Sequence, residues 1–218
     1  MRIVGVDIGI RHLALVKLLC DGAGAEGGRI GEIHLVNIME FTHDRVPAEH
    51  CTLHHTRHLS DRLDHFWQEW EHFFADADIV AVEQQPITGL VGVESFLYGK
   101  TRDCVELVSP TQLHTWTFGK RHGLDYAQRK VAMEMCAAAL CGRLSADPAR
   151  WDRETRELPR RHDVADALVI AWYAYLRRRA LLRDEPMPPS VHAGARVSAH
   201  FSGWPSGEKG SRWLAALS

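Results

Sequence analysis

The stretch MRIVGVDIGIRHLALVKLL (residues 1–19) reads as one long β-strand with a local irregularity around Gly5 and Gly9. Asp7 stands inside it, directly after Ile3-Val4-Gly5-Val6. A carboxylate buried there is costly unless it is paired or holds a metal. Everything else in the chain is read outward from that residue.

The glycine-rich run Asp21–Gly28 is a turn cluster, and IGEIHLVNIMEF (30–41) is a second strand, antiparallel to the first. From His50 to Phe74, apolar residues recur at helical spacing through Leu59, Leu63, Phe66, Trp67, Trp70 and Phe74, which predicts an amphipathic helix. Ile79–Val82 is a short buried strand that ends in Glu83 and is stopped by Pro86. Gly89–Tyr98 is expected to be helical, Cys104–Val108 a strand closed by Ser109-Pro110, and Tyr126–Cys141 a helix. The last helix, Val164–Leu182, is apolar almost all round and belongs in a core against a sheet. Strands in a run, then strands alternating with helices, predict an α/β fold with a mixed sheet flanked by helices. We expect one domain over residues 1–183. A Pro/Gly-rich C-terminal extension, 184–218, would follow it.

Length and composition agree with one globular domain: 218 residues, 45% hydrophobic and 25% charged, are incompatible with wholesale disorder. No apolar run is long enough to span a membrane, and the opening residues resemble neither a secretion signal nor a transit segment. Five cysteines without a C-x-x-C pair suggest reduced thiols and an intracellular protein. The net charge of −2 conceals a division along the chain. Residues 1–149 carry 14 Lys and Arg against 20 Asp and Glu, whereas residues 150–183 carry 9 against 5. The basic segment is first of all a solvated helix face, and second a footprint for a polyanion.

Four carboxylates stand where carboxylates are expensive. Besides Asp7 and Glu83, Asp163 and Asp166 open the most apolar helix at i and i+3, so both project from one face of its first turn. Asp163 alone is equally well read as a helix-terminal charge, and Asp7 as a turn residue beside Gly9. Glu83, followed by Gln84-Gln85-Pro86, has no such use. No matching set of Lys or Arg stands in these elements, so a divalent cation is the simplest compensation. Two strands and a helix can bring such carboxylates around two Mg²⁺ or Mn²⁺ ions, the arrangement suited to phosphodiester hydrolysis. Cys51, His54, His55 and His58 also have ligand-type spacing. Lacking a second C-x-x-C or H-x-x-x-H pair, they read as an exposed polar helix face rather than a zinc site.

Three blocks, GVDIGIRHLALV (5–16), AVEQQP (81–86) and RRHDVADALVIAWYAYL (160–176), resemble in content and order the RuvC-type Holliday junction resolvases of the RNase H-like superfamily. The poxviral and fungal mitochondrial branch is the most similar, although His12 stands where many of its openings have Asn. The resemblance covers about residues 2–180. It implies a five-stranded RNase H-like sheet and a homodimer acting on four-way DNA junctions. Asp7, Glu83, Asp163 and Asp166 would then be catalytic metal ligands for two Mg²⁺ per site, with Mn²⁺ as a substitute. It also implies basic DNA contacts between the Glu block and the final Asp pair. The matching positions are Lys120, Arg121, Arg129 and Lys130, with Arg160 and Arg161 beyond them. Trp116, Phe118 and the Trp151–Arg161 segment are further candidates for stacking against unpaired bases.

The function this implies is structure-selective, metal-dependent resolution of DNA junctions by symmetric nicking. The alternatives are an RNase H-like nuclease acting on RNA–DNA hybrids or other branched DNA, and a non-catalytic junction-binding module. A phosphotransferase of the actin-like and sugar-kinase group shares the Asp7-Ile8-Gly9 pattern, but this chain has no second Gly-rich phosphate loop and is short for two domains. The expected setting is a viral replication compartment or a bacterial or phage cytoplasm.

Overall fold

Residues 1–19 form two strands, not one. In a computed structural model describing residues 1–20, 28–41, 51–120, 123–145 and 149–189, β1 (Arg2–Asp7) and β2 (Leu13–Cys20) make an antiparallel hairpin. Gly9 is the reason. A Cβ there would lie 2.6 Å from the His12 carbonyl oxygen, so only glycine lets the chain double back this tightly. β3 (Gly28–Val36) pairs antiparallel with β2, while β4 (Ile79–Glu83) and β5 (Val105–Val108) add in parallel on the other side of β1. The strand order is β3-β2-β1-β4-β5, a five-stranded mixed sheet.

Strand parity divides the core in two. Val4, Val6, Leu13, Leu15, Val80 and Val82 face α1 (Leu59–Phe74) and α2 (Val91–Lys100), where Leu63, Phe66, Phe73, Val93 and Leu97 are buried. Ile3, Ala14, Val16, Ile79 and Ala81 face the opposite way, onto α4 (Tyr126–Leu144) and α6 (Arg161–Arg183). The helix α6 lies directly on β1. A Cβ at Gly5 would come within 2.1 Å of the Ala167 carbonyl oxygen and 2.8 Å of Ala171 Cβ, so the missing side chain sets the helix-to-sheet spacing.

Several elements differ from the expectations. The segment 51–58 is not helical: α1 starts only at Leu59, and Thr56 donates through both its backbone N–H and its hydroxyl to Asp61. Ser109-Pro110, read as a stop, begins α3 (Pro110–Phe118), because proline at the first helical position gives up only an N–H that has no partner there. The short α5 (Arg150–Thr155) was not anticipated either. Its Arg150 donates to the Ile30 and Gly31 carbonyls of β3, 2.5 and 2.8 Å away, and so tethers an edge strand. Trp151 is 1% exposed and carries the Arg161 guanidinium over its ring, so it is a core residue and cannot stack on a base.

Trp116 meets Tyr173 edge to face and donates to the Pro188 carbonyl, and Phe118 packs partly buried against the same core. Beyond the left-handed Asp184 (φ 53°), residues up to 189 are therefore held near α3. The rest of the anticipated extension lies outside the described residues. Among those residues, no helix is long and apolar enough to cross a membrane.

Candidate active site

The parity that sorts the core also assembles the site. Asp7 continues the Ile3–Gly5 face of β1, and Glu83 continues the Ile79–Ala81 face of β4; both therefore aim to the α6 side. The two strands are parallel with Val6 opposite Val82, so the carboxylates end neighbouring strands side by side. Asp163 and Asp166, in the first turns of α6, come down onto the same point.

Carboxylate oxygens of Asp7, Asp163 and Asp166 all lie within 4.8 Å of one another. Asp7 is 8% exposed and Asp163 4%. Glu83 stands beside this trio, its Oε2 accepting from Gln85 Nε2 at 3.0 Å. Gln85 also accepts from Leu90 N–H at 3.3 Å, and its own N–H donates to Glu94. The Gln-Gln-Pro segment thus has a positioning role that its sequence did not disclose: it fixes the loop that holds Glu83.

Cations are present after all, one from a neighbouring helix and one from the start of α6 itself. Lys130 of α4 places Nζ 2.5 Å from Asp166 Oδ2 and 3.6 Å from Asp163 Oδ1. Arg160 and His162 flank Asp163, each at 3.1 Å. The expectation was that no matching set of Lys or Arg stands in the elements carrying the carboxylates; Lys130 reaches them from another helix, which spacing within one element cannot show.

That compensation is uneven across the three carboxylates. Burial, then the charges of Asp166 and Glu83, hold Asp7 well above the usual carboxylate range. Burial likewise pushes Asp166 up to about 6, against the pull of Lys130. Asp163 goes the other way: burial works to raise it, but His162, Lys130 and Arg160 together hold it below its ordinary value. Lys130 is itself partly desolvated, yet Asp166 and Asp7 keep it charged well above its ordinary range. Asp7 and Asp166 therefore remain disfavoured as charged groups even with Lys130 beside Asp166. A set of hard oxygen donors short of positive charge fits Mg²⁺ or Mn²⁺.

Asp7, Glu83, Lys130, Arg160 and Asp163 form the wall of an open cleft of about 330 Å³, whose other walls are the β1–β2 turn, with Arg11 and His12, and Tyr126 of α4. Arg11, Tyr126 and His162 were not foreseen; the available signal was the pair Arg11-His12 one residue beyond Asp7-Ile8-Gly9 and a His immediately before Asp163. Of the anticipated DNA contacts, Lys130 and Arg160 are in the site. Arg161 is engaged by Asp152 and stacked on Trp151. Lys120 and Arg129 are outside the cleft lining, Lys120 exposed just beyond α3. Arg121 falls outside the described residues.

Against known proteins, no family profile matches the sequence and no curated protein is detectably similar. Solved structures are. The fowlpox virus resolvase in complex with Holliday junction DNA superposes with a TM-score of 0.52 at 15% identity, covering 82% of this chain and 99% of that one. The chain shares the fold of that protein. RuvC of T. thermophilus in complex with a Holliday junction substrate matches at TM-score 0.52 and 22% identity, over 83% of this chain and 96% of that chain. The yeast mitochondrial Holliday junction resolvase matches at 0.55 and 17%, over 84% and 80%. The mixed five-stranded α/β fold expected from the three sequence blocks is thus the fold observed, and the resolvase resemblance holds at the level of structure.

Proposed function

We propose that this protein is a divalent-metal-dependent endodeoxyribonuclease that resolves four-way DNA junctions as a homodimer. The observation that carries this reading is the convergence of Asp7, Asp163 and Asp166, with Glu83 beside them, at one end of a resolvase-fold sheet. Two of the structural neighbours are complexes with Holliday junctions, which supports the choice of substrate.

Asp7, Glu83, Asp163 and Asp166 would hold two Mg²⁺. The bound ions would supply water activation and neutralise charge on the phosphate. The chain's own residues do the rest. Lys130 holds Asp166 in place and keeps positive charge beside the reacting phosphate, while Arg11 and Arg160 give the cleft a basic rim. The β1–β2 turn forms one wall against which the strand would lie. In the reaction a water oxygen bonds to phosphorus as the P–O3′ bond breaks. The products are a 5′-phosphate and a 3′-hydroxyl, the latter taking up a proton. Nicking two symmetry-related strands requires two identical sites, which a two-fold dimer provides.

The test is cleavage of a labelled four-way junction beside linear duplex and an RNA–DNA hybrid, with Mg²⁺ or with EDTA. Paired symmetric nicks in the junction, lost in EDTA, are expected. Preferential cutting of the hybrid would move the assignment to RNA removal, and binding without cutting would refute the catalytic reading. Lys130→Met should leave the chain folded but reduce cleavage about 10- to 100-fold, the usual effect of removing a group that orients a metal ligand. Single-turnover rates at saturating Mg²⁺ measure this, and an unchanged rate would remove Lys130 from the machinery.

A further inference from the structure

On the other side of the molecule, the segment before α1 folds back so that Cys51, His55 and His65 meet. His65, on the second turn of α1, is the residue that the sequence pattern did not connect with the other two. One ligand-type atom from each lies within 4.8 Å of the others. We infer that these three residues form a Zn²⁺ site that clips the 51–58 segment to α1.

Four observations converge on it. The first is distance. Cys51 Sγ and His65 Nδ1 are 3.9 Å apart. Tetrahedral zinc, with Zn–S of about 2.3 Å and Zn–N of about 2.05 Å, requires a separation of roughly 3.6 Å. The second is orientation. His65 Nε2 lies 3.3 Å from the His54 carbonyl oxygen, and donating there leaves the Nδ1 lone pair directed at the sulfur. A backbone carbonyl on the far nitrogen is the usual outer partner of a metal-bound imidazole.

The third is the sulfur's own environment. Leu53 N–H points at Cys51 Sγ from 3.5 Å, the position of an outer-shell donor to a metal-bound sulfur. The fourth is shielding: both ring nitrogens of His55 are screened from solvent, and its ring meets that of His65 edge to face at 4.7 Å. The three ligands leave a fourth position for water or for the exposed His54 side chain.

Donor chemistry separates this site from the acidic one. Thiolate and imidazole select Zn²⁺, whereas the carboxylate set near Asp7 selects Mg²⁺ or Mn²⁺. The clip also has something to hold. His58, the residue capping α1, makes no side-chain capping bond, so the start of that helix depends on the segment preceding it.

The full-length chain, purified without chelator, is expected to retain one Zn²⁺ per chain by atomic emission. With Co²⁺ in its place, a thiolate-to-cobalt charge-transfer band should appear. Cys51→Ser and His65→Asn should each abolish the band and bring the zinc content to background, with the circular dichroism unchanged. Asp7→Asn should alter neither. In the wild-type chain, which avoids any folding defect of the variants, Zn²⁺ should slow alkylation of Cys51 about tenfold or more, and EDTA should restore the rate. Zinc that survives Cys51→Ser, or alkylation of Cys51 indifferent to Zn²⁺, overturns the site.

Discussion

Replacing Asp7 by Asn should reduce junction cleavage roughly 10³-fold or more, about 4 kcal/mol of transition-state stabilisation, while junction binding persists. The same substitution should make the metal-free protein more stable. Asp7 is buried against Asp166 and Glu83, and both neighbours oppose its ionisation. An amide of nearly the same shape removes that repulsion, a gain on the order of 1 kcal/mol, or roughly 2–4 °C in the thermal midpoint for a domain of this size.

A pH dependence follows with a definite sign. Asp7 and Asp166 hold protons in the folded state to higher pH than in the unfolded chain, Asp166 to about 6. Their contribution is therefore complete below the unfolded carboxylate value of about 4 and is lost as pH rises through the folded values. Asp163, whose folded value is depressed, is ionised in both states across about pH 5 to 7 and adds no slope there. In EDTA the thermal midpoint should fall over that window. Mg²⁺ should flatten the fall, and Asp7→Asn should make it shallower. A midpoint lowered by Asp7→Asn in EDTA would show that Asp7 is stabilising and that its charge is already compensated within the chain.

The largest effect on the fold is expected from one methyl group. Gly5→Ala puts Cβ 2.1 Å from a backbone oxygen of α6, which cannot rotate away as a side chain end can. Either the helix or the central strand must move, at a cost of about 3 kcal/mol or more and roughly 6–12 °C in the midpoint. Because α6 carries Asp163 and Asp166, its displacement should also reduce cleavage by about 100-fold at temperatures where the variant is still folded. Gly99→Ala is the control. A Cβ there meets nothing within 4 Å, and in the last turn of α2 the change should stabilise slightly, by less than about 1 kcal/mol. Equal behaviour of the two variants in calorimetry and in cleavage would refute the close packing of α6 on β1.

The carboxylates of the candidate site were legible because each breaks a local rule: Asp7 and Glu83 interrupt or end apolar strands, and Asp163 and Asp166 open an apolar helix. The β1–β2 hairpin was not, because apolar residues recur through Ile8, Ile10 and Leu13, and only Gly9 and the polar pair Arg11-His12 mark the reversal. Helix α3 was hidden by Pro110, which can end one element or begin another, and the choice is made by tertiary packing against Tyr173. The helical spacing of Cys51, His54, His55 and His58 suggested one face of one helix. The observed cluster instead joins a non-helical segment to His65, which no periodicity within either part reveals. Lys130 was visible as a basic residue but not as the partner of Asp166, thirty-six positions away.

The carboxylates come from β1, β4 and α6, with the last of these near residue 163 of the chain. The β1–β2–β3 meander is local and inexpensive to close, whereas the parallel pairing of β1 with β4 encloses more than seventy residues, and α6 is the last of the described helices to be synthesised. A nascent or half-folded chain therefore has at most fragments of a metal site. On the proposed function, the ability to cut DNA would then wait until the scaffold that directs the cut is complete.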